Sequence, residues 1–69
     1  MRGSGSLIDL KVARTGQTYA EKNNITVDIA LEEFLGSVTY QALIDLETGL
    51  YLEVFEFVFD LFLEERGEL

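Results

Sequence analysis

Residues Leu50 to Leu63 read LYLEVFEFVFDLFL, and eleven of these fourteen are apolar while the three exceptions are all acids. Glu53, Glu56 and Asp60, with Glu64 just beyond, are spaced three, four and four apart. On a helix these four carboxylates share an arc of roughly 80°, so the rest of the circumference has to be covered by protein. One small domain has little material with which to cover it. The segment predicts a helix over 51–65 whose apolar side meets a second subunit through Leu50, Val54, Phe55, Phe57, Val58, Leu61 and Phe62. Glu53, Glu56, Asp60 and Glu64 are then its acidic surface, facing water.

Length sharpens this argument. The chain has 69 residues, and its opening MRGSGS is small, polar and aperiodic. Residues 1–6 therefore read as a disordered expression leader, and 7–69 as a single small domain. A domain of that size has a marginal core, which small scaffolds reinforce with disulfides, a metal or oligomerisation. With no Cys and no His in the sequence, oligomerisation is the route left. The same absences exclude thiol chemistry and thiolate metal sites, and they remove the commonest general base. No signal peptide and no apolar run of bilayer-spanning length is present, so a cytoplasmic protein is expected. Pro and Trp are missing too. That composition fits an engineered or selected sequence, whereas the turn-like pairs Thr15-Gly16 and Asn23-Asn24 fit a natural one.

The net charge of −8 is unevenly spread. Residues 1–22 carry Arg2, Lys11, Arg14 and Lys22 against Asp9 and Glu21, whereas 23–69 carry eleven acids against Arg66 alone. Such a surface repels phosphate backbones and anionic lipid, so direct nucleic-acid or membrane binding is not expected. Lys11, Arg14 and Lys22 are the cations placed to meet the acidic stripe, within one chain or across a dimer.

Along the chain, Ile8, Leu10 and Val12 alternate with Asp9 and Lys11, the period-two pattern of a half-buried strand. Thr15-Gly16 reads as a turn and Gln17 to Glu21 as a returning strand, giving an N-terminal β-hairpin that Asn23-Asn24 ends. From Thr26 the period changes: Val27, Ala30, Leu31, Phe34 and Leu35 fall at i, i+3, i+4, i+7 and i+8. Thr26 as N-cap, Asp28 in the first turn and Gly36 as the stop bound a helix over 26–35. Residues 38–46 fit either period. As a strand they would pair with 50–58 across Glu47-Thr48-Gly49, but Glu56 would then point inward unpaired, at a cost of several kcal/mol. Helices are therefore favoured for 38–47 and 51–65. The expected fold is α+β, an N-terminal β-hairpin followed by two or three helices, with a ββαββ sheet carrying one helix as the alternative. That alternative order is similar in outline to the β-grasp arrangement and implies no function.

Candidate chemistry is sparse. Hard cations need converging oxygens, whereas a straight helix splays its carboxylates, and the chain lacks both an EF-hand glycine loop and the His of a Glu-x-x-His di-metal site. No metal and no cofactor is expected. A row of carboxylates can instead imitate a phosphate strand and occupy the groove of a basic protein. The resemblance to small acidic inhibitor proteins of mobile elements rests on size and charge alone. Acid and base catalysis by paired carboxylates is a remoter alternative, because no cleft is evident. Tyr51, Phe55, Phe57, Phe59 and Phe62 have no interleaved cations for base stacking and read as core or interface. Asn24-Ile25-Thr26 matches a glycosylation pattern but reads better as a turn and a helix cap. Ser37 has no base partner that would make it a nucleophile. The function expected is a non-enzymatic, homo-oligomeric protein-protein interaction module. An acidic inhibitor of a basic protein is the alternative.

Overall fold

Ile8, Val12, Thr15, Gly16, Tyr19 and Ala20 fall at i, i+4, i+7, i+8, i+11 and i+12, the stripe of an amphipathic helix. The computed structural model describes residues 3–69, with side chains from Leu7 onward, and it places this stripe on one long helix, α1 (Gly3–Asn23). The expected hairpin is therefore wrong. Leu10, the middle member of the alternating trio, is 68 % exposed, while Ile8 and Val12 pack on the core. Thr15-Gly16 is buried within the helix rather than a turn. Gly16 lies where α1 meets the next helix, so closely that a β-carbon there would stand 2.5 Å from Leu31 Cδ2. Of the expected leader, Met1 and Arg2 lie outside the described residues, and the backbone of α1 begins at Gly3.

Asn24 ends α1 in the left-handed region, at φ 55°, and the Ile25 N–H then bonds back to the Ala20 carbonyl at 3.0 Å. This is a Schellman stop supplied by Asn in place of Gly. Helix α2 (Val27–Leu35) starts at Thr26, whose Oγ1 accepts the Ile29 N–H, and finishes at Gly36, both as the sequence predicts. Helix α3 (Val38–Ile44) starts at Ser37, whose hydroxyl accepts the Tyr40 N–H at 3.0 Å. Two single-turn 3-10 helices, Leu46–Thr48 and Leu50–Leu52, join it to α4 (Phe55–Glu65). Gly49 sits between them at φ 71°. Its missing side chain lets the connection reverse there without strain.

Among the described residues there is no strand, so neither the hairpin-plus-helices arrangement nor the ββαββ alternative describes the chain. The expected helices over 38–47 and 51–65 are present in shortened form, and Glu56 is exposed on α4.

Rings from all four helices meet in the core. Tyr19 of α1 packs edge-to-face on Phe62 of α4 at 4.9 Å, Phe62 on Phe34 of α2 at 5.0 Å, and Phe34 on Tyr40 of α3 at 5.7 Å. Each such pair contributes about 0.5–1.5 kcal/mol beyond the area it buries. Ala30, Leu43, Leu50, Val58 and Leu63 fill the space around them. Thr15 is wholly buried, and its hydroxyl has no hydrogen-bond partner among the described residues.

Candidate functional site

Helix α4 presents three rows. Phe55, Val58, Phe59, Phe62 and Leu63 recur at i, i+3, i+4, i+7 and i+8 and face the core or its edge. Glu56, Asp60 and Glu64 recur at i, i+4 and i+8 and are exposed. Between them, Phe57 and Leu61 form a short apolar row, Phe57 being 48 % exposed and Leu61 half-buried. On the facing helix, Val38 and Ala42 stand one turn apart, and Val38 is 72 % exposed. An open groove of about 640 Å³ runs between the two helices, lined by Val38, Thr39, Ala42, Leu50, Leu61, Glu64 and Glu65.

One carboxylate holds the groove's shape. Glu65 reaches across from α4 to the start of α3, where Oε2 accepts the Val38 N–H at 2.7 Å. Oε1 accepts the Thr39 N–H at 2.9 Å and the Thr39 hydroxyl at 2.7 Å. Two N–H groups that a helix start leaves unpaired are thereby satisfied by an anion at the positive end of the helix. Burial alone would raise the Glu65 carboxyl, but the bonds from the Thr39 hydroxyl and the two N–H groups outweigh it and hold it below the usual carboxylate range. Ser37 completes the junction by donating its hydroxyl to the Phe34 carbonyl at 2.6 Å. Its hydroxyl is the cap of α3.

A second polar cluster closes the far end of α4. Gly67, at φ 75°, turns the chain so that Glu68 N–H bonds to the Leu63 carbonyl at 2.8 Å. That turn carries Glu68 to the Tyr19 hydroxyl, which donates to Oε2 at 2.5 Å. Arg66 Nε donates to the same hydroxyl at 2.9 Å, and Arg66 Nη2 to Glu33 Oε1 at 2.7 Å. Burial, reinforced by the bond to Glu68, pushes the Tyr19 phenol up, while its donation holds the Glu68 carboxyl down. These bonds pin α1, α2 and the C-terminal turn together.

The residues expected at an interface divide by burial. Leu50, Val58 and Phe62 lie in the chain's own core, and Phe55 is half-buried, stacked on Phe59 at 5.3 Å beneath the Arg14 guanidinium at 4.2 Å. Val54 is 65 % exposed, and with Phe57 and Leu61 it is part of the set that still meets solvent. Glu53, Glu56, Asp60 and Glu64 are all exposed, with Glu53 in the bend before α4 rather than on it. Of the cations expected near the stripe, Arg14 approaches Glu56 at 3.9 Å, with both side chains mostly in water. Val38, Ala42 and Glu65 were not singled out by sequence reasoning. Val38 and Ala42 carry a faint signal, an i, i+4 apolar pair, whereas Glu65 acts on residues 26 and 27 positions away and carries none.

Among the described residues no three metal-ligating side chains gather, and no helix is long and apolar enough to cross a membrane. Comparison with models of protein families, with curated proteins and with solved structures finds no match to this chain.

Proposed function

We propose that this chain is a non-enzymatic protein-protein interaction module that takes its partner in the groove between α3 and α4. The observation that carries the reading is the groove itself: about 640 Å³ of open space with Val38, Ala42, Leu50 and Leu61 on its walls. Apolar clefts edged by polar groups are where proteins receive the side chains of other proteins. Glu65 supports the same reading because its bonds to α3 fix the spacing of the two walls before any partner arrives. A pre-set wall costs less order on binding.

A second reading, self-association through Val54, Phe57 and Leu61, is favoured by the exposure of Val54 and Phe57. Both readings make the apolar surface of α4 a contact face. They are separated by solution mass, which rises with concentration in the second and stays that of one chain in the first.

The test is methyl NMR of the isolated chain titrated with amphipathic helical peptides, one carrying Lys and one carrying Glu beside the same leucine row. Shifts confined to Val38, Ala42 and Leu61 with either peptide support a groove-binding module. Unmoved methyls with both peptides, together with a concentration-independent single-chain mass, would overturn it.

A further inference from the structure

Carboxylates of α4 stand in and beside the groove. Phe57, Asp60, Leu61 and Glu64 recur at i, i+3, i+4 and i+7, so they share one face of α4 within about 100° of arc. Leu61 and Glu64 line the groove, Phe57 stands one turn before Leu61 and is half exposed, and the exposed acidic row continues from Glu64 through Asp60 to Glu56, away from the groove. The three carboxylates repeat every four residues, roughly 6 Å along the axis.

Among the described residues the row is met by a cation only at its first member. Asp60 and Glu64 form no ion pair among the described residues, and Glu56 meets only Arg14, at 3.9 Å. Arg66 is turned to the opposite side, held by Tyr19 and Glu33. A second copy is a poor occupant, because residues 23–69 carry eleven acids against one cation and two such faces would oppose each other. An anionic or neutral segment would leave the row unpaired at the edge of a newly desolvated seam.

Resting on the groove reading above, we propose that the occupant is a cationic amphipathic helix from another protein. It lays leucine-like anchors between Val38, Ala42 and Leu61, and it sets Lys or Arg at four-residue spacing against Asp60 and Glu64. Helix-in-groove recognition needs an apolar trough about as long as two or three turns. The seven residues of α3 and eleven of α4 supply walls of about 10 and 16 Å. The matching repeat lets every fourth residue of the guest meet a carboxylate.

The probe is a fluorescein-labelled peptide of Leu, Ala and Lys, about four turns long, with leucines at i, i+3, i+4 and i+7 and lysines on the neighbouring row. Its control carries Glu at every Lys. Fluorescence anisotropy against the intact chain is expected to saturate at one peptide per chain, with the Lys form bound at least about tenfold more tightly and the difference shrinking as salt rises. Asp60→Asn with Glu64→Gln is expected to weaken binding about tenfold, the sum of two rim charge pairs. Val38→Glu, a change at a largely exposed position, is expected to abolish binding while circular dichroism remains that of the parent.

Equal affinity for the Lys and Glu forms, or no effect of the Asp60 and Glu64 changes, overturns the cationic occupant. If the Glu form nonetheless shifts the Val38 and Leu61 methyls, the module reading stands without it. If the solution mass doubles with concentration and Val38→Glu prevents this, the occupant is a second copy and the present proposal falls. If neither peptide moves the methyls and the mass stays single, both readings fall together.

Discussion

Replacing Gly16 with Ala tests the packing of α1 on α2 directly. In an exposed helix interior the change is favourable by about 1 kcal/mol, because Ala loses less backbone entropy than Gly. Here the new Cβ would lie 2.5 Å from Leu31 Cδ2 and 2.8 Å from Leu31 Cγ, where apolar carbons normally sit about 3.5–4.0 Å apart. The half-buried Leu31 side chain has to give way against its neighbours on α1 and α2. Overpacking of this kind costs about 1–3 kcal/mol. Taking the midpoint against the propensity gain, Gly16→Ala destabilises the chain by about 1 kcal/mol, a fall in Tm of about 4–8 °C at this size. In a Leu31→Ala background the obstacle is gone and only the propensity gain remains. The same change then stabilises by about 1 kcal/mol, a coupling of roughly 2 kcal/mol in the double-mutant cycle. Urea unfolding of the four proteins by far-UV circular dichroism measures it. If Gly16→Ala stabilises both backgrounds equally, the close approach of α1 to Leu31 is refuted.

Three further outcomes follow from named groups. Thr15→Val removes a buried hydroxyl with no partner at nearly constant volume, and urea unfolding should show a gain of about 1 kcal/mol; a loss would mean that the hydroxyl is bonded after all. Glu65→Ala should cost about 1 kcal/mol as a lost helix cap. Because its folded carboxyl is held below the ordinary value, Glu65 contributes stability that is complete above the unfolded carboxylate range and is lost as pH falls through the folded value. The acid limb of a stability-pH curve should therefore be shallower in Glu65→Gln than in the parent, and superimposable limbs would refute this role. The Tyr19 phenol is raised in the fold, so its contribution is complete below about pH 10 and is lost as pH rises through the folded value. Tyr19→Phe should remove that alkaline loss from the stability-pH curve and cost about 1 kcal/mol near neutrality; an unchanged alkaline limb would place the loss elsewhere.

The element boundaries that are legible in the sequence are those written by neighbouring residues. Thr26, Asp28 and Gly36 delimit α2 because capping bonds span only three or four positions. The acids of α4 mark its wet side for the same reason: four-residue spacing is visible without knowing what lies opposite. Residues 7–23 misled because the buried face of α1 is built partly from Thr15 and Gly16, which carry little apolar signal. Leu10 meanwhile advertises a period that tertiary structure does not use.

Tertiary structure alone decided how the apolar circumference of 50–63 is shared out. Composition shows that Leu50, Val58 and Phe62 have to be covered, but not that Tyr19, Phe34 and Leu43 of the same chain help to cover them. It also shows a Gly at 16 and a Glu at 65, but not that one admits Leu31 and the other caps α3 from 26 and 27 residues away. Local hydrogen bonds and periodicity are properties of a few consecutive residues, and the amino-acid order determines them. Which greasy face meets which depends on where the chain turns, at Asn24 and Gly49 among other places, and the turn at Gly67 carries Glu68 to Tyr19. Those turns bring together residues whose separation along the sequence leaves no trace of the contact.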